Sequence, residues 1–260
     1  LDTLYVIKIG GNIIDDEAKL SSFLQAFASI EGKKILVHGG GKLATKLAGQ
    51  LGVEQQLIDG RRITDAETLK IVTMVYAGYI NKNIVAQLQA KGCNAIGLSG
   101  ADGNMVQAHK RVHPTIDYGF VGDVDSVNTN LLGTLLEQEI AVIAAPITAD
   151  SKGQLLNTNA DTIAQEIAQA MSSLYHVQLI YSFEKNGVLL DVNNENSVIP
   201  LITPVSYMEL KSKELIFAGM LPKLDNAFSA MEKGVSKVVI GNAEYLTEII
   251  QGRSGTMITI

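Results

Sequence analysis

Short apolar runs alternate with longer amphipathic stretches along the whole chain, and this rhythm sets the class of fold. Residues 5–9, 34–37, 95–98, 141–145, 177–181 and 237–240 each read as a strand. Runs this short, apolar throughout and bounded by turn formers, suit strands buried on both faces. Between them lie stretches with apolar residues at helical spacing, near 17–29, through about 51, from 64 towards 90, through about 171, near 204–213, near 223–233 and over 243–250. Strands alternating with helices predict an α/β fold, a three-layer α/β/α sandwich around a mainly parallel sheet. Residues 104–128 break the rhythm: they are polar and turn-rich, with Gly119 and Gly122, and predict hairpin strands. Short strands are also expected at 188–190 and 256–260, the first after a loop at 182–187. A boundary near 172–176 divides the chain into lobes of 1–174 and 175–260.

A chain of 260 residues with 47% hydrophobic content can bury a sizeable core. Its net charge of −6 and the absence of a basic stripe argue against nucleic acid and anionic membranes as partners. The single cysteine, Cys93, excludes an intrachain disulfide and suits a reducing compartment. No signal peptide or bilayer-spanning run is visible, so a cytoplasmic location is expected.

Against this background Lys8 stands out. It lies inside Tyr5-Val6-Ile7-Lys8-Ile9-Gly10-Gly11, an apolar strand running into a glycine turn. Burying an unpaired ammonium costs several kcal/mol, roughly a domain's stability margin. Lys8 therefore snorkels to water, has an anionic partner, or faces an anionic ligand. Gly10 and Gly11 would let backbone N–H groups face such a ligand.

His38-Gly39-Gly40-Gly41 follows a second strand and precedes a helix, which makes it a phosphate-binding candidate. It lacks the glycine and the Ser or Thr of a Walker A loop, having Leu36 and Leu43 at those places. Gly39, Gly41 and Ala44, with Asp59 downstream, satisfy a dinucleotide pattern, although Asp59-Gly60 reads as a turn and not as a strand end. The same loop has the look of a hydrolase oxyanion hole. Gly97-Leu98-Ser99-Gly100-Ala101 is a poor nucleophile elbow, and Ser99, Asp161 and His176 would form its triad. A ligand-free turn is the remaining reading, weakened by the conformational cost of three glycines.

Other polar residues add constraints. Lys223 falls in the first turn of the helix begun by Pro222, where a lysine opposes the helix dipole unless it faces an anion. Arg61-Arg62 precedes Thr64-Asp65-Ala66-Glu67, which reads as a capping box. Asn157, Asn159 and Asp161 cluster before a helix that Asn159 can cap. His38, His109, His113 and His176 lack metal-ligand spacing, and Cys93 reads as an inert buried thiol.

Taken in order, Lys8-Ile9-Gly10-Gly11, His38-Gly39-Gly40-Gly41, Gly60-Arg61-Arg62-Ile63-Thr64, Gly97–Gly103, Gly119–Gly122, Asn157–Asp161 and Gly219-Met220-Leu221-Pro222-Lys223 resemble the amino acid kinase family over essentially the whole chain. The resemblance implies phosphoryl transfer from MgATP to the γ-carboxylate of an N-acylated glutamate, N-acetyl-L-glutamate first, in arginine biosynthesis. It implies that Lys8 and Lys223 hold the phosphoryl group, that Asp161 orients them, and that amides of Gly11, Gly40 and Gly41 assist. Arg62, Asn157 and Asn159 would bind the acyl-glutamate. Gly10, Glu184, Lys185, Gly187, Val188, Leu189, Leu215, Ile216, Phe217, Gly219 and Met220 would meet ATP. Magnesium would be held mainly by nucleotide phosphates and water, with no direct protein ligand.

Two departures from the family pattern matter. Glu184 stands where aspartate is expected, and Arg61 occupies a usually apolar place. Arg61 could pair with a second carboxylate, so an N-succinyl substrate is an alternative, as are glutamate, aspartate, carbamate, a nucleoside monophosphate or a catalytically silent sensor. Arginine-inhibited members carry a helix before the first strand. Here the strand comes almost first, so a homodimer without arginine feedback is expected.

Overall fold

The computed structural model describes residues 1–58, 61–213, 215–216 and 220–260, with only the backbone of Arg61 and Pro222. Eight strands form the main sheet, in the order Leu201–Ile202, Thr256–Ile258, Lys237–Asn242, His176–Phe183, Thr3–Ile9, Lys33–His38, Ala141–Ala144 and Ala95–Leu98. All neighbours are parallel except Thr256–Ile258, which runs antiparallel to Lys237–Asn242. The first strand is central. It pairs along its length with His176–Phe183, and from Leu4 to Ile9 with Lys33–His38, so one sheet carries strands from both sides of residues 172–176.

Alternation along the first strand sorts its side chains onto two cores. Leu4 and Val6 face the helix Ala160–Met171, together with Ile163, Ile167 and Met171. Ile7 and Ile9 face the other layer, with Phe23, Leu24, Phe27 and Ile84. Each such side chain, fully buried, contributes about 1.5–3 kcal/mol, so a slip of register would be severely destabilising. Lys8 belongs to the Leu4–Val6 face, and this decides where its ammonium emerges.

Several expectations need correction. The helix after Thr64 is capped by Asp65, whose side chain accepts from Thr68 N at 2.7 Å; the Thr64 hydroxyl instead donates to Arg62 O. The long helix is not uniform. Ala66–Thr73 passes into a π-helical stretch, Met74–Ile80, before Asn81–Ala90 resumes α geometry. Residues 188–190 are not a strand. Val188 N donates to Thr256 Oγ1, and a single bridge joins Leu189 to Val198. The polar region does form strands, Val106–Lys110 and Gly122–Val127, in a second four-stranded sheet with Ile147–Ala149 and Leu155–Asn157. Among the described residues no helix is long and apolar enough to cross a membrane.

Candidate active site

Lys8 is the last residue on its face before the strand ends at Ile9. Directly ahead lies the N-terminus of Ala160–Met171, where Asn159 accepts from Asp161 N and Thr162 N at 2.8 and 3.1 Å. The cap fixes the first turn, and the helix dipole favours an acid there. Asp161 fills that place. Its Oδ1 lies 2.7 Å from Lys8 Nζ, and its Oδ2 accepts from Lys223 Nζ at 2.6 Å. One carboxylate thus meets both ammoniums, an oxygen to each.

Burial alone would push the Asp161 carboxyl up. The charges of Lys8 and Lys223 outweigh burial and hold it well below the ordinary carboxylate range. Two ammoniums and one carboxylate leave one net positive charge, largely shielded from water. Lys223 Nζ also stands 5.7 Å from the centre of the Tyr181 ring.

The two glycine turns meet beside Lys8. Gly39 N donates to Ile9 O, and a Cβ on Gly39 would lie 3.9 Å from Gly11 N. Gly40 has φ +152°, and a Cβ there would run into Ile80 Cδ1 and the Tyr76 ring. Only glycine lets the backbone pass so close to that helix. The π stretch places Tyr76 and Ile80 against the loop, a common use of such bulges.

A cavity of about 420 Å³ brings together Lys8, Gly11, Gly40, Gly41, Arg62, Asn157, Asn159 and Asp161. Lys223 adjoins it through Asp161. Arg62 Nη2 donates to Gly41 O and Thr45 Oγ1 at 3.0 and 2.9 Å, and Nη1 donates to Gln55 Oε1. Three of five guanidinium N–H groups thus hold the fork in place and two remain. Asn157 Nδ2 donates to Thr64 Oγ1 at 3.0 Å. A wider cleft of about 750 Å³ lies on the far side of Lys42, between the helices carrying Leu20, Lys46 and Asn83, away from the lysine pair.

Tyr76, Arg111, Leu57, Val121 and Thr158 also line the cavity and were not foreseen. Arg111 donates from Nε and Nη2 to Asp123 Oδ1 at 2.9 and 2.5 Å. A charged residue inside a turn-rich stretch was the sole sequence signal for it. Nothing at the sequence level anticipates Tyr76, because its orientation depends on the π stretch.

The remaining sequence candidates are dispersed. Ser99 is tied to Asp102 by N and Oγ contacts of 2.7 and 2.8 Å, His176 is exposed, and Asp161 serves the lysines, so no hydrolase triad exists. Asp59, Gly60, Phe217 and Gly219 lie outside the described residues. Glu184 is exposed and Lys185 pairs with Glu195 at 2.5 Å. Gly187 packs against Thr256 and Val198. Val188 and Ile216 are buried in the core, Leu189 is 9% exposed, Leu215 is exposed and Met220 precedes the Leu221–Glu232 helix. Gly10 is the N-cap of the short helix Gly11–Ile14.

A half-buried, net-positive lysine pair between two glycine turns is equipment for holding a transferring polyanion, and the sheet order sets it in an α/β sandwich. The chain belongs to the amino acid kinase family, whose model matches residues 3–242. It is 55% identical over 257 residues to an acetylglutamate kinase of Phocaeicola vulgatus, covering 99% of this chain and 98% of the relative. It is 57% identical to an acetylglutamate kinase of Cytophaga hutchinsonii over 96% and 95% of the two chains. A solved structure from Streptococcus mutans superposes with a TM-score of 0.77 at 28% identity, covering 99% and 98%.

Proposed function

We propose that this chain transfers the γ-phosphoryl group of MgATP to the γ-carboxylate of N-acetyl-L-glutamate, forming N-acetylglutamyl 5-phosphate for arginine biosynthesis. The observation that carries this reading is the Lys8–Asp161–Lys223 arrangement facing the Gly39–Gly41 loop. The relatives' names supply the acceptor.

In this reading Lys8 and Lys223 bind the transferring phosphoryl oxygens, where excess charge accumulates in the transition state. Asp161 holds the two ammoniums at fixed separation. The amides of Gly11, Gly40 and Gly41 donate to the phosphoryl group or the attacking carboxylate. Arg62 spends its two remaining N–H groups on the α-carboxylate, Asn157 binds near the acylamide, and Asn159 presents its amide to the same region. The lobe of 175–260 receives the nucleotide near Glu184, Lys185, Gly187, Leu215 and Met220; Val188, Leu189 and Ile216 contribute backbone. Among the described residues no group of three or more His, Cys, Asp or Glu is placed for a metal ion, and both Asp161 oxygens face lysines. Magnesium would then arrive on the nucleotide phosphates, neutralising their charge. We infer a homodimer in the cytoplasm; sedimentation tests the dimer.

An assay with ATP, magnesium and N-acetylglutamate, trapping the acyl phosphate with hydroxylamine, tests the activity. Hydroxamate formation is expected. Folded protein that makes none with any acylglutamate overturns the reading. A second acceptor, N-succinylglutamate, is favoured by one observation: Arg111 lines the cavity as a second guanidinium. Comparing kcat/KM for the two acylglutamates decides between them, and a clear preference for acetyl removes the succinyl reading.

A further inference from the structure

His38 is fully buried and absent from the cavity wall, yet it touches the loop that forms that wall. Its Nδ1 lies 2.9 Å from Gly39 O, and its Nε2 lies 3.2 Å from Asn81 Nδ2. The partners fix the tautomer. Asn81 Nδ2 also reaches Ile143 O at 2.9 Å, and a carbonyl can only accept, so the amide nitrogen must face this side. Nε2 therefore accepts, and Nδ1 carries the proton and donates to Gly39 O. Burial agrees, pushing the imidazole down to about 4 and keeping it neutral.

Asn81 is itself held rigidly. It is fully buried, its Oδ1 accepts from Lys82 Nζ at 3.1 Å, and Gly97 leaves room for it, since a Cβ there would collide with its side chain. A chain of contacts thus runs from the strand Ala141–Ala144 through Asn81 and His38 to the Gly39 carbonyl. The Gly39–Gly40 peptide is trans, so its N–H points opposite to its C=O. With the carbonyl drawn to the ring, the Gly40 N–H is turned to the cavity side. Among the described residues that N–H has no acceptor within the protein.

We propose that His38 and Asn81 are positioning residues: a neutral imidazole, oriented by the Asn81 amide, holds the Gly39 carbonyl back and thereby aims the Gly40 N–H at the phosphoryl-transfer site. The inference rests on the kinase reading for what the N–H binds, whereas the strut itself is a property of the free protein. Two tests separate these.

Ring nitrogen shifts of His38, measured by ¹⁵N NMR at neutral pH in the free protein, should report the neutral Nδ1–H tautomer. An Nε2–H tautomer or an imidazolium overturns the strut whether or not the protein is active. In kinetics, His38→Leu should lose about 10²-fold in kcat, the scale of a misplaced catalytic group, with KM for both substrates within about threefold. His38→Asn, whose Nδ2 overlays Nδ1, should recover at least about tenfold of that loss. Wild-type kcat in His38→Leu, or no recovery in His38→Asn, overturns the positioning role. If the variants do not fold, the tautomer decides. A wild type without turnover counts against the kinase reading and leaves the tautomer test of the strut intact.

Discussion

The two lysines of the site meet one carboxylate, but they are held there differently. Lys8 sits on a central strand whose backbone is paired on both sides, to Val37 and to Tyr181. Lys223 sits in the first turn of Leu221–Glu232, a helix whose N-cap, Met220, makes no side-chain cap. The helix dipole opposes an ammonium there. The Lys223 ammonium is held by the Asp161 hydrogen bond and stands over the Tyr181 ring. One jaw stands on a strand paired on both sides; the other stands on a helix packed through Leu224 and Ala227 but left uncapped at the end that carries the lysine, where its ammonium is held by the charge it grips.

The largest effects should come from deleting either ammonium. Lys8→Ala and Lys223→Ala should each lower kcat by about 10²–10³-fold or more, on the scale of removing one transition-state donor. Steady-state rates with saturating ATP check this. Retained turnover in either variant removes that lysine from the chemistry.

The comparison itself is tested by Asp161→Asn, expected to lower kcat by about 10²-fold. Its coupling to the two lysines should be unequal. In double-mutant cycles on kcat, Asp161→Asn with Lys223→Ala should be strongly non-additive, by about 1–3 kcal/mol. With Lys8→Ala the coupling should be smaller, because the strand keeps the lysine in place without the carboxylate. Equal couplings would break the distinction between the jaws.

The same contrast governs what could be read from sequence. The first jaw was legible because its parts are local: an apolar strand, a misfit lysine, a glycine turn, then a second strand with His38–Gly41. Parallel pairing of the two strands brings those turns together with no further information. Asp161 was legible as a carboxylate behind an N-cap, but its pairing with Lys8 and Lys223 came from the family resemblance. Tyr76 and Arg111 were missed for a physical reason. Tyr76 reaches the loop because the helix widens to π geometry over Met74–Ile80, and nothing in the helical periodicity announces that change. Arg111 enters through the second sheet, where strand positions depend on pairings between segments far apart in sequence. The expected Thr64 cap failed because Asp65, one residue on, satisfies the helix start and frees Thr64 to meet Asn157.

Arg62 offers a milder test on the fixed side. Arg62→Lys keeps the charge but loses the fork that reaches Gly41 O, Thr45 and Gln55 together. KM for the acylglutamate should rise by about tenfold or more, the scale of one hydrogen bond to a charged group, with a smaller change in kcat. Unchanged KM would place the α-carboxylate elsewhere.

The smallest effect concerns acid stability, and it separates the two regions by pH. His38 is held neutral behind the glycine loop, with its folded value pushed by burial down to about 4 from the ordinary 6.5. As pH falls from about 6.5 towards 4, the unfolded chain binds a proton that the folded chain refuses, so stability declines across that window. Asp161 acts lower. The charges of Lys8 and Lys223 hold its folded value below the ordinary 3.8, so its contribution is present above about 4 and is lost as pH falls further. Each group adds at most about 1.4 kcal/mol per pH unit to the slope. In urea unfolding at a series of pH values, His38→Asn should flatten the upper window alone and Asp161→Asn the lower alone. A wild type with no slope between pH 6.5 and 4 would mean that His38 takes up its proton within the folded protein, and the neutral ring behind the loop would have to be abandoned.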